Sequence, residues 1–413
     1  MSTWRIALKQ TIEELIETHR PGFSMAQNFY TSQEIFQEDL KRIFFRHWLF
    51  VGHVSRVPEI GNFFTVELGN ESIIIIRDDK MELHALWNVC RHRGSRICLQ
   101  SEGTARSLVC PYHQWVYRSD GTLLNARLMQ DTFEAAEHGL ARAHVRVVEG
   151  MIFVSMADVP PDFEPFRKGI ESRLHPHDLA SAKICHRQLY KIAANWKLVV
   201  ENSRECYHCG VAHPQYCKAI GFAAAVGSAA LQAESALIEE QRMRAVKEMG
   251  LEVETIPFIA NSWYHYRRFF LRPGFETESV DGRPVAPVMG SLPNCDTGVF
   301  AVVTLPNMLL EASRDYVMTL RLLPKGPQLT EAEVCWLVRE DAQEGADYDV
   351  DRLTEFWRLT SEQDWKLCEN NQSGVNSSRY SPGPYGPTEE GVKHFGHWYI
   401  EELKTGERAH GKS

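Results

Sequence analysis

The chain has 413 residues, 44% of them hydrophobic and 24% charged, and a net charge of −9. That balance suits a soluble globular protein with a sizeable core, and the length suggests two or three domains. A mildly acidic chain without a block of like charge argues against nucleic acid as the main partner. The longest aliphatic run, Ile73 to Ile76, is far too short to span a bilayer.

In chain order, the opening MSTWRIALKQTIEELIETHR carries charges every few positions and lacks the apolar core of a secretion signal. It reads as an amphipathic helix in a cytoplasmic protein. Residues 28–60 predict a helix and then a turn into strands. From 61 to 155 come short β patterns (NFFTVEL, SIIIIRD, ELHALWNV, VYRSDG, VRVVEGMIFVSM) separated by Gly and Asp turns, as in a small antiparallel domain. PPDFEPF near 160–166 reads as a linker. Residues 195–247 predict mostly helix, including an Ala-rich stretch, and 251–323 return to strand patterns. Residues 348–373 predict one long helix. The Pro- and Gly-rich SPGPYGP and a short helix end the chain.

Ten cysteines in a chain of this length without an export signal predict a reduced protein, most of them serving as small buried hydrophobes. Cys90 and Cys110 differ because of their neighbours. Cys90 and His92 are separated by one residue, Cys110 and His113 by two, which makes a four-ligand metal site. Zinc sites usually pair Cys with Cys and His with His. One Cys and one His on each loop suits a two-iron cluster, with the cysteines on one iron and the histidines on the other. Cys98 is then structural.

ENSRECYHCGVAHP, Glu201 to Pro214, raises a second metal question. Non-haem Fe(II) oxygenases use two His and one carboxylate, leaving positions open. His208 and His213 are five apart, roughly 140° around a regular helix at about 100° per residue. A straight helix cannot aim both at one ion, so it must end or bulge between them; Gly210 and Pro214 permit that break. Cys206 and Cys209 have no CxxC partner elsewhere and read as packing residues. Glu205, three before His208, shares its helix face.

The C-x-H-x17-C-x2-H pattern, with its flanking CRHRG and CPYHQW, resembles the Rieske-type non-haem iron ring and N-methyl oxygenases, over about residues 28–400. The resemblance implies an α+β fold in which a Rieske antiparallel β domain (45–155) is inserted into a helix-covered antiparallel-sheet catalytic domain (1–44 and 156–413). It implies a [2Fe-2S] cluster on Cys90, His92, Cys110 and His113, and mononuclear Fe(II) on His208, His213 and Asp364 of SEQDWKLCENNQSG. Glu362 is the competing carboxylate. It also implies that Glu205 bridges a cluster histidine of one subunit to an iron ligand of its neighbour, in a homotrimer, and that Asn202 lies near that route. Glu rather than Asp at the bridge, within E-N-x-x-E-C-Y-H-C, resembles the branch acting on glycine betaine, proline betaine (stachydrine), carnitine and choline. The activity implied is N-demethylation of a betaine by O2, with NADH-derived electrons from a separate flavin/ferredoxin-type reductase. Alternatives are an aromatic-ring dioxygenase alpha subunit, a Rieske electron carrier, or a zinc-stapled module.

An ammonium head binds over aromatic faces. In WYHYRRFF a strand would put Trp263, His265, Arg267 and Phe269 on one face and Tyr264, Tyr266, Arg268 and Phe270 on the other. Trp263 and Tyr266 are candidate cage residues, unless the strand simply packs in the core. An unspecified Arg would hold the substrate carboxylate.

Overall fold

A computed structural model describes residues 11–221, 228–259 and 261–408. The helix expected over residues 1–10, and the part of the Ala-rich helix at 222–227, lie outside these. Among the described residues, no helix is long and apolar enough to cross a membrane.

The chain opens with α1 (Ile12–Thr18), started by a capping box in which Thr11 and Glu14 satisfy each other's backbone N–H groups. It continues through α2 (Gln27–Thr31) and α3 (Gln33–Asp39) into a π-helical turn at Leu40–Phe44. Ten strands follow: β1 (Leu49–His53), β2 (Asn62–Leu68), β3 (Glu71–Arg77), β4 (Leu83–Trp87), β5 (Glu102–Thr104), β6 (Leu108–Val109), β7 (Val116–Tyr117), β8 (Leu123–Asn125), β9 (Arg142–Val148) and β10 (Met151–Ser155). Seven form an antiparallel sheet in the order β1-β10-β9-β4-β3-β2-β5, and β6-β7-β8 form a small second sheet. The isoleucine run in β3 is buried on both faces. Side chains alternate along a strand, so Ile73 and Ile75 join the main core. Ile74 and Ile76 join a smaller core around Cys90, Cys110, Trp115 and Tyr117.

The remainder comprises α4 (Glu164–Leu174), β11 (Lys183–Ile192), α5 (Trp196–Asn202), α6 (Cys209–Ala212), α7 (Pro214–Ala219) and α8 (Ala229–Glu248). Then come β12 (Tyr264–Phe269), β13 (Val299–Thr304), β14 (Met308–Ala312), β15 (Val317–Gly326), β16 (Leu329–Val338), α9 (Val350–Val375) and α10 (Glu390–Arg408). The strands form one antiparallel sheet, β11-β16-β15-β14-β13-β12. Helix α9 starts where the Asp349 side chain accepts from Arg352 N, 2.9 Å. Its buried residues recur every three or four positions, through Leu353, Phe356, Trp357, Thr360, Ser361, Trp365, Cys368, Gln372 and Val375, giving it one inward face toward α5, α7 and β11. The architecture is the expected α+β one.

Three local expectations shift. PPDFEPF is not all linker: α4 begins within it, since Pro165 sits in the first turn, where a missing N–H costs nothing. The strands expected over 251–323 are interrupted, because residues 270–298 form turns anchored on Asp315. Its Oδ2 accepts from Val285 N at 2.7 Å. The last helix has 19 residues and buries Phe395, Trp398, Tyr399 and Leu403.

Candidate metal centres and their cavity

The Cys90 and Cys110 loops approach each other at the tip of the first domain. Each closes on itself: Gly94 N donates to Cys90 O (2.9 Å) and Gln114 N to Cys110 O (3.0 Å). Both turns need a left-handed residue, and Gly94 and Gln114 have φ of 75° and 59°. Both thiols are buried and unpaired. The Tyr117 hydroxyl lies 3.2 Å from Cys90 Sγ. Burial pushes the Cys90 thiol up, whereas at Cys110 the surrounding N–H groups outweigh burial and hold it down. The His92 and His113 rings lie 4.6 Å apart, and His92 stacks on Trp115. Two buried free thiols and two adjacent imidazoles, one of each on either loop, fit a cluster with mixed ligation.

The second centre lies where the chain breaks twice in a few residues. Helix α5 ends at Asn202, and α6 is a single turn from Cys209 to Ala212. His213 sits at φ −123°, ψ 68° between α6 and the Pro214 that opens α7. The break thus falls at His213 rather than at Gly210, and it turns both imidazoles toward α9. Asp364 Oδ1 lies 2.9 Å from His213 Nε2 and 3.2 Å from His208 Nε2. The outer nitrogens are held as well. His208 Nδ1 is 2.6 Å from Glu205 Oε1, and His213 Nδ1 donates to Gln363 Oε1 at 2.7 Å. Gln215 Nε2 also donates to Gln363 Oε1, 3.0 Å. Two Nε2 atoms, each on a ring held from behind, and a carboxylate oxygen fit a two-His-one-carboxylate iron site. Burial opposes the Asp364 charge, but the two histidines outweigh it and hold the carboxyl below its usual range. Burial likewise opposes a charged His208, yet Asp364 and Glu205 push it up to about 9. Glu362, the competing carboxylate, is 44% exposed and pairs with Arg358 instead.

One expectation is corrected here. Cys206 and Cys209 are not two free packing thiols: the turn between α5 and α6 brings their Cα atoms to 4.9 Å and they form a disulfide. Cys209 Sγ lies near both iron-site imidazoles but, bonded to Cys206, offers no thiolate. The other eight cysteines are free, as expected.

Residues 47–137 match the Rieske [2Fe-2S] domain, and residues 179–405 match the ring hydroxylating alpha subunit (catalytic domain). Over 96% of its length the chain is 38% identical to the glycine betaine monooxygenase oxygenase subunit of Chromohalobacter salexigens, covering 89% of that protein. The chain belongs to the Rieske-type oxygenases. It is 37% identical to the protein of the same name from Pseudomonas aeruginosa, over 96% of this chain and 92% of that one. The solved quaternary ammonium Rieske monooxygenase CntA shares the fold, with a TM-score of 0.72 at 23% identity, covering 96% of this chain and 100% of that one. The protein is therefore a Rieske oxygenase and an oxidoreductase, with a [2Fe-2S] cluster and a mononuclear iron as its cofactors.

In this Rieske oxygenase the iron site opens into a cavity of about 600 Å³ under α8 and beside the six-stranded sheet. Asn202 and Glu205 line it, as do Arg204, Tyr216, His265, Arg267, Glu311 and Trp357. Trp263 and Tyr266 do not. Trp263 packs on Phe163 and Phe166, and Tyr266 lies under Arg173, both in the core. The strand's other residues, His265 and Arg267, face the cavity. The Gln363–Asp364 pairing had favoured Asp364 over Glu362 through the family resemblance, but the hold of Gln363 on His213, and Gln215 behind it, were not foreseen. Arg204, Glu311 and Trp357 carried no local signal; only the packing of distant elements brings them together.

Proposed function

We propose that this chain is the oxygenase component of a system that removes an N-methyl group from a betaine of the glycine betaine or proline betaine type. The observation that carries the reading is the Glu205–His208 contact behind the iron site, in a chain 37–38% identical to glycine betaine monooxygenase oxygenase subunits. The carnitine monooxygenase oxygenase subunit of Escherichia coli, 31% identical over 49% of this chain, points to the same substrate class. The names of these relatives, as oxygenase subunits, support a separate reductase; NADH is its proposed electron source.

His208, His213 and Asp364 would hold the iron, which supplies O2 activation when bound. Cys90, His92, Cys110 and His113 would hold the cluster that feeds it electrons. Glu205 fixes the His208 tautomer by holding Nδ1–H, leaving Nε2 to face the metal. Gln363 does the same for His213. Asn202 lines the route beside them. Tyr207 and Val211, next to the iron ligands, are 62% and 92% exposed, and Tyr112, next to the cluster, is 55% exposed. Such open surfaces around both centres support electron transfer between subunits of a closed homotrimer. Glu205 would then be the bridge.

One oxygen atom enters an N-methyl C–H bond, and the N-hydroxymethyl product breaks down to formaldehyde and the demethylated amine. The other oxygen leaves as water, taking two electrons from the reductant and two protons. Charged side chains in the cavity suit a zwitterion better than the aromatic hydrocarbon of a ring dioxygenase. Purified protein loaded with iron, given NADH and a broad-range reductase, should release formaldehyde in step with O2 uptake from one betaine. A reduced cluster with no formaldehyde from glycine betaine, proline betaine or carnitine would overturn the reading.

A further inference from the structure

The cavity wall carries two buried poles of opposite charge. At one, Arg204 is 8% exposed, and its Nε and Nη1 have no hydrogen-bond partner among the described residues. Burial holds its pKa down to about 9, with no carboxylate opposing this among the described residues. Its backbone is closely packed: a Cβ added at Gly391 of α10 would lie 2.3 Å from Arg204 O, and the guanidinium lies 5.9 Å from the centre of the Phe258 ring. His265 adjoins it, with a buried and unpartnered Nδ1. Arg267 also lines the cavity, but its charge already acts on Glu239 and Glu311. At the other pole, Glu311 is 7% exposed; its Oε2 receives no hydrogen bond among the described residues, while its carboxyl shares a hydrogen bond with Glu278. Behind it lies the wholly buried Glu278, held by Ser313 Oγ at 3.0 Å. Burial pushes both carboxyls up, and Glu278 is raised further by Glu311. Trp357 lies beside them and packs edge-on against Tyr216, whose ring is 6.2 Å from that of the iron ligand His213.

The Arg204 nitrogens and the Glu311 oxygen that lack a hydrogen bond each cost stability unless a ligand satisfies them. Aromatic faces beside a carboxylate are the surface that a quaternary ammonium prefers. We propose that this cavity is a receptor for a zwitterion, with Arg204 binding the substrate carboxylate and Glu311 with Trp357 receiving the ammonium head next to the iron. This rests on the betaine reading above and deepens it: Arg204 sets the preference for betaines over choline, which has no carboxylate.

The test is calorimetric binding to the iron-loaded, cluster-containing protein without reductant, using glycine betaine, choline and tetramethylammonium as probes. The wild-type protein should bind glycine betaine more tightly than choline. Arg204→Met should weaken glycine betaine about tenfold or more and leave choline unchanged, the loss expected for a charge-assisted hydrogen bond. Glu311→Gln should weaken all three. Retained choline binding shows that Arg204→Met is folded; if that variant does not fold, Arg204→Lys carries the same comparison. An unchanged betaine-to-choline ratio on replacing Arg204 would overturn the proposal, as would full tetramethylammonium affinity in Glu311→Gln. If the wild type binds none of the probes, the betaine reading itself fails.

Discussion

The cluster site is local. All four of its proposed ligands fall between Cys90 and His113, on two tight loops that chain reversal brings together. The iron site is assembled across the fold: Asp364 lies 151 positions beyond His213, on a different helix. The first centre therefore depends on loop conformation and the small core beneath it. The second depends on α9 staying packed against α5 and α7. Changes to α9 should empty one centre and spare the other.

The largest expected effect is at Asp364. Asp364→Ala should abolish turnover and iron binding at the catalytic site while leaving the visible absorbance of the cluster intact. Demethylation at the parent rate would remove Asp364 as a ligand. Gln363→Leu frees His213 to rotate, and a loss of about 10–100-fold in iron affinity or activity is expected, again with an unchanged cluster spectrum. Tyr117→Phe probes the opposite centre. It removes the hydroxyl beside Cys90 Sγ, and the reduction potential should fall, because hydrogen bonds to cluster sulfurs raise it. Iron content should not change.

The smallest effect tests the frame under the iron site. Glu201 accepts a hydrogen bond from the Tyr30 hydroxyl at 2.9 Å. Burial pushes its carboxyl from the ordinary 4.5 up to about 8, against the opposing pull of Tyr30 and Lys197. The folded protein thus keeps a proton that the unfolded chain releases. The stability this contributes is full below about pH 4.5 and is lost as pH rises toward about 8. Glu201 retains some solvent access, so the swing should be on the order of 2 kcal/mol rather than the full shift. Glu201→Gln should flatten it, as read by melting temperature at pH 5 and pH 8. An equally steep pH dependence in the variant would refute this assignment.

The same local-versus-distant contrast explains what could be read from the sequence. The cluster ligands follow from spacing and ligand chemistry alone. The break between His208 and His213 follows from helix geometry, though Pro214 puts it later than Gly210 suggested. The choice of Asp364 needed the family resemblance, since Glu362 is only two positions away on the same helix. The cavity wall was not legible. A strand pattern gives two faces but not which one meets the cavity: Tyr266 is on the face turned away, and Trp263, in phase with His265 and Arg267, lies just before β12 and packs on Phe163 and Phe166. Glu311 comes from β14 and Trp357 from α9, and nothing short of the tertiary fold joins them. The Cys206–Cys209 pair was legible as a spacing but was set aside on the grounds of compartment.

The most direct test of the account is the rate at which a reduced cluster is reoxidised in a single turnover by Glu205→Gln protein with substrate and O2. If Glu205 couples the two centres, the variant should keep both metals and react about 10–100-fold more slowly than the parent, the range for losing a residue that orients a metal ligand. An unchanged rate with both metals bound would contradict the bridging role and leave Glu205 only an ornament of the His208 turn.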